Sequence, residues 1–431
     1  SKVTQNAGGA VHTRHMRILH TSDWHFGRSL HGQDLGDARA LFCRWLIDTV
    51  KTQNIQLVLI SGDVYDRAIP PVGQINEVMN LLEELSSITH VLLTSGNHDS
   101  AGRLGMYSHF LHGNIQVCTR VEDIGTAREY RGINGDPGVL VYPIPYLEPD
   151  LVRSVLSPTD QPLERTHQAV MDAAMRRIGA DLKQRRSEGD LRPAVVMAHA
   201  FIVGAAPSDS ERNIEVGGVP SVSAETFENF GGDPQAPTPG LSYVALGHLH
   251  RPQAIPSAQV PIRYSGSPIA YSFSEAPGDK SAVIIDTHPE DEKLTPHTQR
   301  VEISGISIPL ALSTVNIPSA HPLVVLTGSM DSLLEKARQT DRESYVSLTV
   351  IDDARPQSMV SRLRAAYPHA LSIIHAPTHT PILAAPQRDL ATMDIRSTLA
   401  DFFSQQGGQP VSAEESSVID QVVSKVKEDL Q

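Results

Sequence analysis

The chain has 431 residues, 40% of them hydrophobic and 20% charged, so it has enough apolar material for a sizeable core and is not globally disordered. Lys and Arg number 36 against 49 Asp and Glu. The net charge of −13 argues against a protein that binds nucleic acid through bulk positive charge. Two cysteines cannot form a disulfide framework or a structural zinc site, and they fit a reducing compartment such as the cytoplasm.

Residues 1–15 are polar and lack the apolar segment of a signal peptide, so we expect them to be a disordered arm or a cloning remnant. From 17 to 287, short apolar runs alternate with amphipathic segments, which is typical of a layered α/β domain. Helices are predicted over 74–85 and 168–182, and a hairpin is predicted over 129–143. The longest apolar run is too short to span a bilayer, so no membrane association is expected.

A domain boundary is predicted near 286–300, where the chain becomes polar and contains proline. Strand and helix patterns then alternate over 300–376, which predicts a small α+β domain. Residues 387–431 contain two short helical patterns, and the second begins with the capping-box pair Ser412 and Glu415. Its apolar positions form one stripe: Ile419, Val422, Val423, Val426 and Leu430. The stripe packs either on its own chain or on a partner, and the sequence leaves both open.

Five polar motifs each follow the end of a strand-like apolar run. They are Asp23-Trp24-His25, Gly62-Asp63-Val64-Tyr65-Asp66, Gly96-Asn97-His98-Asp99, His199, and Gly247-His248-Leu249-His250. In open α/β sheets, ligands bind beyond the carboxyl ends of the strands, so five adjacent strand ends would gather these groups in one cleft.

The motifs together offer carboxylate and amide oxygens and imidazole nitrogens, a donor set that suits Mn²⁺, Mg²⁺, Fe or Zn. The donors exceed the needs of one ion. Two ions about 3.5–4 Å apart form the usual clamp for phosphoester hydrolysis. Each motif alone has an ordinary explanation as a turn, a surface pair or a core histidine. Because all five follow strand-like runs in order, we favour a metal site.

These motifs resemble those of the calcineurin-like metallophosphoesterase superfamily, D-x-H, G-D-x-x-D, G-N-H-D/E, H and G-H-x-H. The resemblance covers 16–286 and implies a layered β-sandwich flanked by helices, followed by a small α+β capping domain over 300–376. More narrowly, HTSDWHFGRSL, LISGDVYDRAIPP and YSGSPIAYSF are similar to the Mre-type DNA repair nucleases, which include the nuclease subunits of bacterial SbcCD complexes.

The resemblance implies a role for each motif residue. The first metal ion would be held by Asp23, His25 and His250, the second by Asn97, His199 and His248, with Asp63 bridging both. His98 would face the scissile phosphate and stabilise the transition state or protonate the leaving oxygen, with Asp99 orienting it. Asp66 would either hydrogen-bond to a metal ligand and fix its orientation, or take part in proton transfer. A phosphate contact for Arg28 is left open, while Trp24 and Tyr65 are expected to pack.

The resemblance further implies Mn²⁺-dependent cleavage of DNA, with Mg²⁺ as the alternative metal. The expected activities are exonuclease action on duplex ends and endonuclease action at hairpins or single-stranded regions, in DNA end processing, repair and recombination. Such nucleases are homodimers that form a heterotetramer with an SMC-like ATPase, SbcC in bacteria, and residues 387–431 would dock on it. Two alternatives stay open: a metallophosphoesterase acting on a small phosphodiester, nucleotide or phosphoprotein, and a scaffold that binds DNA ends and rarely cuts.

Overall fold

The structure is a computed structural model, and it describes residues 16–111, 113–132, 137–211, 221–232, 235, 238–257, 259–276, 278–287, 299–300, 310–377, 396, 399 and 411–429. The arm expected over residues 1–15 lies outside these ranges. Within them, no helix is long and apolar enough to cross a membrane. The chain divides into two compact units, the second of which contains Ile351–Arg355 and the residues from Ala376 onwards.

The strands of the first unit are β1 (Arg17–Thr21), β2 (Ser29–Leu30), β3 (Gln33–Asp34), β4 (Leu57–Ser61), β5 (His90–Thr94), β6 (Ile115–Cys118), β7 (Arg128–Tyr130), β8 (Val139–Pro143), β9 (Ala194–His199), β10 (Phe201–Ile202), β11 (Ser221–Val222), β12 (Tyr243–Gly247), β13 (Gln253–Ile255), β14 (Ile262–Tyr264), β15 (Ser281–Asp286), β16 (Gln299–Arg300), β17 (Ala311–Asn316), β18 (Leu323–Gly328), β19 (Tyr345–Val350) and β20 (Ala370–His375). The helices are α1 (Gly36–Thr52), α2 (Val72–Ser86), α3 (Ala101–Gly105), α4 (Tyr107–Phe110), α5 (Pro149–Val152), α6 (His167–Ser187), α7 (Met330–Lys336), α8 (Met359–Ala366) and, in the second unit, α9 (Ala413–Asp429).

Two large sheets form the body of the first unit. A seven-stranded sheet has the order β16-β17-β15-β1-β4-β5-β6, and a six-stranded sheet has the order β13-β14-β12-β9-β8-β7. Strands β1, β4, β5 and β6 are parallel, as are β8, β9, β12 and β14. The predicted hairpin is confirmed by the antiparallel pairing of β7 with β8.

The sheets face each other across one apolar layer that holds Ile18, Leu59 and Leu92 from the first sheet with Val141 and Met197 from the second. Helices α1 and α2 cover the outer face of the first sheet, and α6 covers that of the second. The runs LVLIS and AVVMA are almost entirely apolar because both faces of their strands are buried. The predicted sandwich flanked by helices is therefore confirmed.

The small domain begins later than the sequence predicts. Strand β17 pairs with β15 within the seven-stranded sheet, so the described residues 310–316 belong to the sandwich. Beyond it, β18, β19 and β20 form a parallel sheet whose apolar cluster with α7 and α8 includes Leu333 and Leu348. Tyr345 of this domain packs against Leu30, Leu35, Ile269 and Tyr271 of the sandwich.

In the second unit, α9 begins with the predicted capping box. The Ser412 amide donates to the Glu415 carboxylate at 2.8 Å, and the Glu415 amide donates to the Ser412 hydroxyl at 3.2 Å. Ile419 and Val423 of the predicted stripe are buried, whereas Val422 is 53% exposed. Val426 and Leu430 lie outside the described side chains.

Candidate metal centre

All five polar motifs lie at the carboxyl ends of parallel strands in the two sheets. β1 and β4 are neighbours in the first sheet, and β9 and β12 are neighbours in the second. Hydrogen bonds join the two sheets here: the Ser61 hydroxyl donates to the Ala245 carbonyl at 3.0 Å, and His199 Nδ1 donates to the Ser61 carbonyl at 2.9 Å. The predicted convergence of the motifs is therefore present in the structure.

The backbone is strained where the motif side chains leave the strands. Asp23, His25, Asp63 and His248 have φ angles of 54°, 45°, 52° and 107°. For residues other than glycine, this left-handed region costs roughly 1–2 kcal/mol each. Such strain persists where the surrounding structure over-determines it, and it clusters at functional sites.

Glycines allow the strand ends to come this close together. A Cβ atom on Gly62, whose φ is +83°, would lie 2.5 Å from His199 Nδ1. Cβ atoms on Gly96 and Gly247 would overlap Asp63 and the Ser61 carbonyl. The motif glycines therefore provide room for neighbouring donor groups as well as turns.

One donor cluster consists of Asp23, His25 and His250, with one donor atom from each lying within 4.8 Å of the others. The Nε2 atoms of the two histidines are 3.0 Å apart. The Asp23 carboxylate accepts a hydrogen bond from the His248 amide at 2.9 Å. All three side chains are buried.

A second cluster lies beside the first. His199 Nε2 is 2.9 Å from the Asn97 side-chain oxygen, and His248 Nδ1 is 3.2 Å from that same oxygen. Asp63 Oδ2 is 3.3 Å from His199 Nε2 and 3.6 Å from His25 Nε2. One carboxylate oxygen of Asp63 thus lies between the two clusters.

The ring of His98 is held by Asp66. His98 Nδ1 donates to the Asp66 carbonyl at 2.9 Å and lies 3.9 Å from its carboxylate. The Asp99 carboxylate instead accepts hydrogen bonds from the amides of Val64, Tyr65 and Gly96. The orienting contact that was expected from Asp99 is made by Asp66, because Asp99 braces the loops that carry Asp63 and Asn97.

Burial sets the electrostatics of both clusters. It lowers the pKa of His25 and His250, and it lowers the pKa of His248 to about 3, which favours neutral imidazoles. It also raises the pKa of Asp23 to about 8. Burial acts in the same direction on Asp63, but the charge of His199 holds its pKa well below the usual range.

The donor set fits divalent cations. Neutral imidazoles and buried carboxylates are metal ligands, and an unpaired buried carboxylate is costly without a compensating positive charge. The two facing Nε2 atoms have room for only one hydrogen between them, so at least one presents a lone pair. Among the residues that the structure describes, the buried amide nitrogen of Asn97 and the Nδ1 of His25 also have no hydrogen-bond partner.

Several contacts around the clusters were not foreseen from the sequence. Arg28 is 3.5 Å from the Asp66 carboxylate, donates to the Ser210 carbonyl and lies over the Tyr271 ring at 5.2 Å. Buried Ser210 and Glu275 lie behind His250. No local pattern indicates these contacts, because each partner is distant along the chain. Trp24 and Tyr65 are buried packing residues, as predicted.

Comparison with known proteins agrees with this geometry. Residues 16–252 match the calcineurin-like phosphoesterase family, and residues 319–407 match the family described as type 5 capsule protein repressor C-terminal domain. The SbcD subunit of nuclease SbcCD from Bacillus subtilis is 30% identical over 93% of this chain and 95% of its own length. The SbcD protein of Escherichia coli is 28% identical over 78% and 77%, and that of Staphylococcus epidermidis is 25% identical over 83% and 85%.

The fold and the five strand-end motifs define a metallophosphoesterase. The chain belongs to the calcineurin-like phosphoesterases and, within them, to the SbcD family of nuclease subunits.

Proposed function

We propose that this chain is the nuclease subunit of a DNA end-processing complex and that it hydrolyses phosphodiester bonds with two divalent metal ions. The observation that carries the proposal is the pair of donor clusters with an Asp63 oxygen between them, beside a histidine that belongs to neither predicted ligand set. Two adjacent ions clamp both oxygens of an in-line displacement at phosphorus.

The proposed ligand sets follow the two clusters. Asp23, His25 and His250 would hold one ion, Asn97, His199 and His248 would hold the other, and Asp63 would serve both. When bound, the ions supply the activated water and the positive charge that the hydrolysis needs. Four of these seven residues have left-handed backbone that the surrounding structure fixes, which keeps their donors in place before the ions arrive.

His98 is proposed to manage the proton of the leaving oxygen. Its Nδ1–H is committed to the Asp66 carbonyl, so Nε2 is left to hold or deliver a proton. The Asp66 carboxylate lies 3.9 Å from that same Nδ1 atom, so Asp66 contacts the side of the ring that carries Nδ1. Asp99 contributes indirectly by fixing the loops around Asp63 and Asn97.

We propose Mn²⁺ as the metal. The sites combine imidazole nitrogens with carboxylate and amide oxygens, whereas Mg²⁺ prefers oxygen ligands alone and keeps several waters. Mg²⁺ is the alternative, and a mixed donor set supports it less well.

The proposed substrates are duplex DNA ends and DNA hairpins, the proposed partner is an SMC-like ATPase, and the proposed compartment is the cytoplasm. The relatives named above are subunits of nuclease SbcCD. Val418 and Val422 of α9 are 59% and 53% exposed, which supports docking of that helix on the ATPase.

A homodimer is also proposed, and it would form a heterotetramer with two ATPase chains. Apolar side chains are exposed before and at the start of α2 and around α3 and α4. Ile69, Val72, Met106 and Phe110 are 69%, 72%, 54% and 71% exposed. Exposed apolar surface of this kind supports an interaction surface on these segments.

The test is cleavage of a linear duplex and a DNA hairpin with Mn²⁺, with and without the ATPase and ATP, alongside His98→Ala. We expect cleavage that requires Mn²⁺ and His98 and that increases with the ATPase and ATP. Hydrolysis of a small phosphodiester with no cleavage of DNA in any mixture would contradict the proposal.

A further inference from the structure

A chain of buried polar groups runs away from His250 on the side opposite to His25. His250 Nδ1 lies 2.6 Å from the Ser210 hydroxyl, which lies 2.6 Å from the Glu275 carboxylate. Lys280 pairs with that carboxylate and also donates to the Ser267 hydroxyl at 3.0 Å. His250, Ser210 and Glu275 are all buried.

The hydrogens of this chain have one consistent direction. The Glu275 carboxylate, compensated by the Lys280 ammonium, accepts the single hydrogen of the Ser210 hydroxyl. The Ser210 oxygen then accepts from His250, so the hydrogen of that imidazole is on Nδ1. The lone pair on Nε2 therefore faces His25 across 3.0 Å.

The same segments also fix the backbone of His250. Its amide donates to the Glu211 carboxylate at 2.8 Å, and its carbonyl accepts from Lys280 at 2.8 Å. Glu275 is fixed in turn by the Tyr271 amide at 3.1 Å. The ring and both backbone groups of His250 are thus bound by residues outside the five motifs.

We propose that Ser210, supported by the Glu275–Lys280 ion pair, is a positioning residue that selects the metal-binding tautomer and orientation of His250. The inference rests on the proposed two-metal function and adds a residue to it. Partners of this kind behind a histidine ligand are typically worth about 10–100-fold in metal affinity. The effect falls on the first ion alone, because His250 belongs to the first cluster.

The test is calorimetric titration of the metal-free full-length chain with Mn²⁺, for the wild type, Ser210→Ala and Ser210→Thr. Threonine keeps the hydroxyl, and alanine removes it. Asp209→Asn is the matched control, because Asp209 is the neighbouring residue of the segment and its side chain is exposed. Cleavage of duplex DNA is measured on the same samples at low and at saturating Mn²⁺.

We expect the wild type to bind two ions and Ser210→Ala to bind one of them at least about tenfold more weakly, with the other unchanged. Ser210→Thr and Asp209→Asn should bind as the wild type does. Saturating Mn²⁺ should restore cleavage to Ser210→Ala, which a general loss of structure would not allow.

Wild-type affinity for both ions in Ser210→Ala would overturn the inference, as would an equal loss at both ions that threonine fails to rescue. If the wild type binds two ions and cuts DNA while Ser210→Ala matches it, only this inference fails. If the wild type binds no Mn²⁺, the proposed function fails with it.

Discussion

The cleft at the strand ends and the small domain of β18–β20 differ in their backbone geometry and in the polarity of their buried side chains. The cleft places buried carboxylates and imidazoles on left-handed backbone, as at Asp23 and Asp63. The small domain packs an apolar cluster against regular elements, and Ser329 caps α7 by accepting from the Ser332 amide. Among the described residues of the small domain, Ser358 is the non-glycine residue with left-handed backbone. It is exposed at the start of α8.

The difference shows where this fold tolerates strain. Four left-handed residues and several buried charges are kept in the cleft because two sheets hold them from both sides. The small domain has no comparable need, so its local preferences and its packing agree. Four experiments test this contrast, in order of decreasing effect.

Replacing His98 with alanine should lower DNA cleavage by about 10²–10⁴-fold, the usual contribution of a general acid or base. Metal affinity and the free energy of unfolding should stay close to those of the wild type, because the ring is partly exposed. Single-turnover cleavage, calorimetric titration with Mn²⁺ and denaturant unfolding measure the three quantities. His109→Ala, an exposed histidine on α4, is the control. Full activity in His98→Ala would remove this residue from the mechanism.

Adding Mn²⁺ should stabilise the wild type by about 2.7 kcal/mol for each ion bound, at a hundredfold excess over the dissociation constant. The ions neutralise the buried carboxylates of the cleft, so the gain should shrink strongly in Asp63→Asn and persist in His98→Ala. Thermal unfolding in the presence of Mn²⁺ and in the presence of a chelator measures this gain in stability. An equal gain in Asp63→Asn would show that the ions stabilise the chain elsewhere.

Gly247→Ala should destabilise the chain by about 1–3 kcal/mol, because its new methyl group would overlap the Ser61 carbonyl. Gly328→Ala in the small domain should change stability by no more than about 1 kcal/mol, since the nearest atom would be at 3.4 Å, in ordinary contact. Urea unfolding compares the two. An equal loss of stability in the two variants would contradict the proposed difference between the cleft and the small domain.

A weaker effect is expected at the contact between the small domain and α1. His321 Nε2 lies 2.6 Å from the Asp37 carboxylate. The hydrogen bond from His321 lowers the pKa of Asp37. Burial alone would lower the pKa of His321, but the bond to Asp37 raises it above its usual value.

Two opposite shifts define a pH window for this pair. The pair contributes fully to the free energy of unfolding at pH values above the ordinary pKa of aspartate and below the ordinary pKa of histidine. This contribution is lost as pH falls through the lowered pKa of Asp37 or rises through the raised pKa of His321. Asp37 is 60% exposed, so screening limits the contribution to a few tenths of a kcal/mol, near the lower end of about 0.2–1. The loss of stability in Asp37→Asn should therefore be larger near pH 6 than near pH 9, with Asp48→Asn on the same helix as control. A constant difference across pH would contradict the assignment.

The sequence predicted the parts of the molecule that depend on local pattern. Apolar runs of strand length located β1, β4, β5, β9 and β12, and the polar motifs after them located the cleft. The capping box at Ser412 was also predicted from the sequence, because its two partners are three residues apart.

What escaped prediction depends on contacts between distant residues. Strand β17 was assigned to the small domain because nothing local to ALSTVN shows that it pairs with β15. Ser210 and Glu275 are 65 positions apart, and only the fold reveals that both serve His250. The role of Asp99 was misjudged for the same reason, since adjacency to His98 in sequence suggested a contact that Asp66 makes in space.

The proposed mechanism depends on two metal ions that share Asp63 at the carboxyl ends of the strands. Anomalous diffraction from crystals of the full-length chain grown with Mn²⁺ would locate such ions without reference to activity. We expect two peaks, one between Asp23, His25 and His250 and the other between Asn97, His199 and His248, with Asp63 touching both. A single peak, or two peaks that do not share Asp63, would contradict the mechanism.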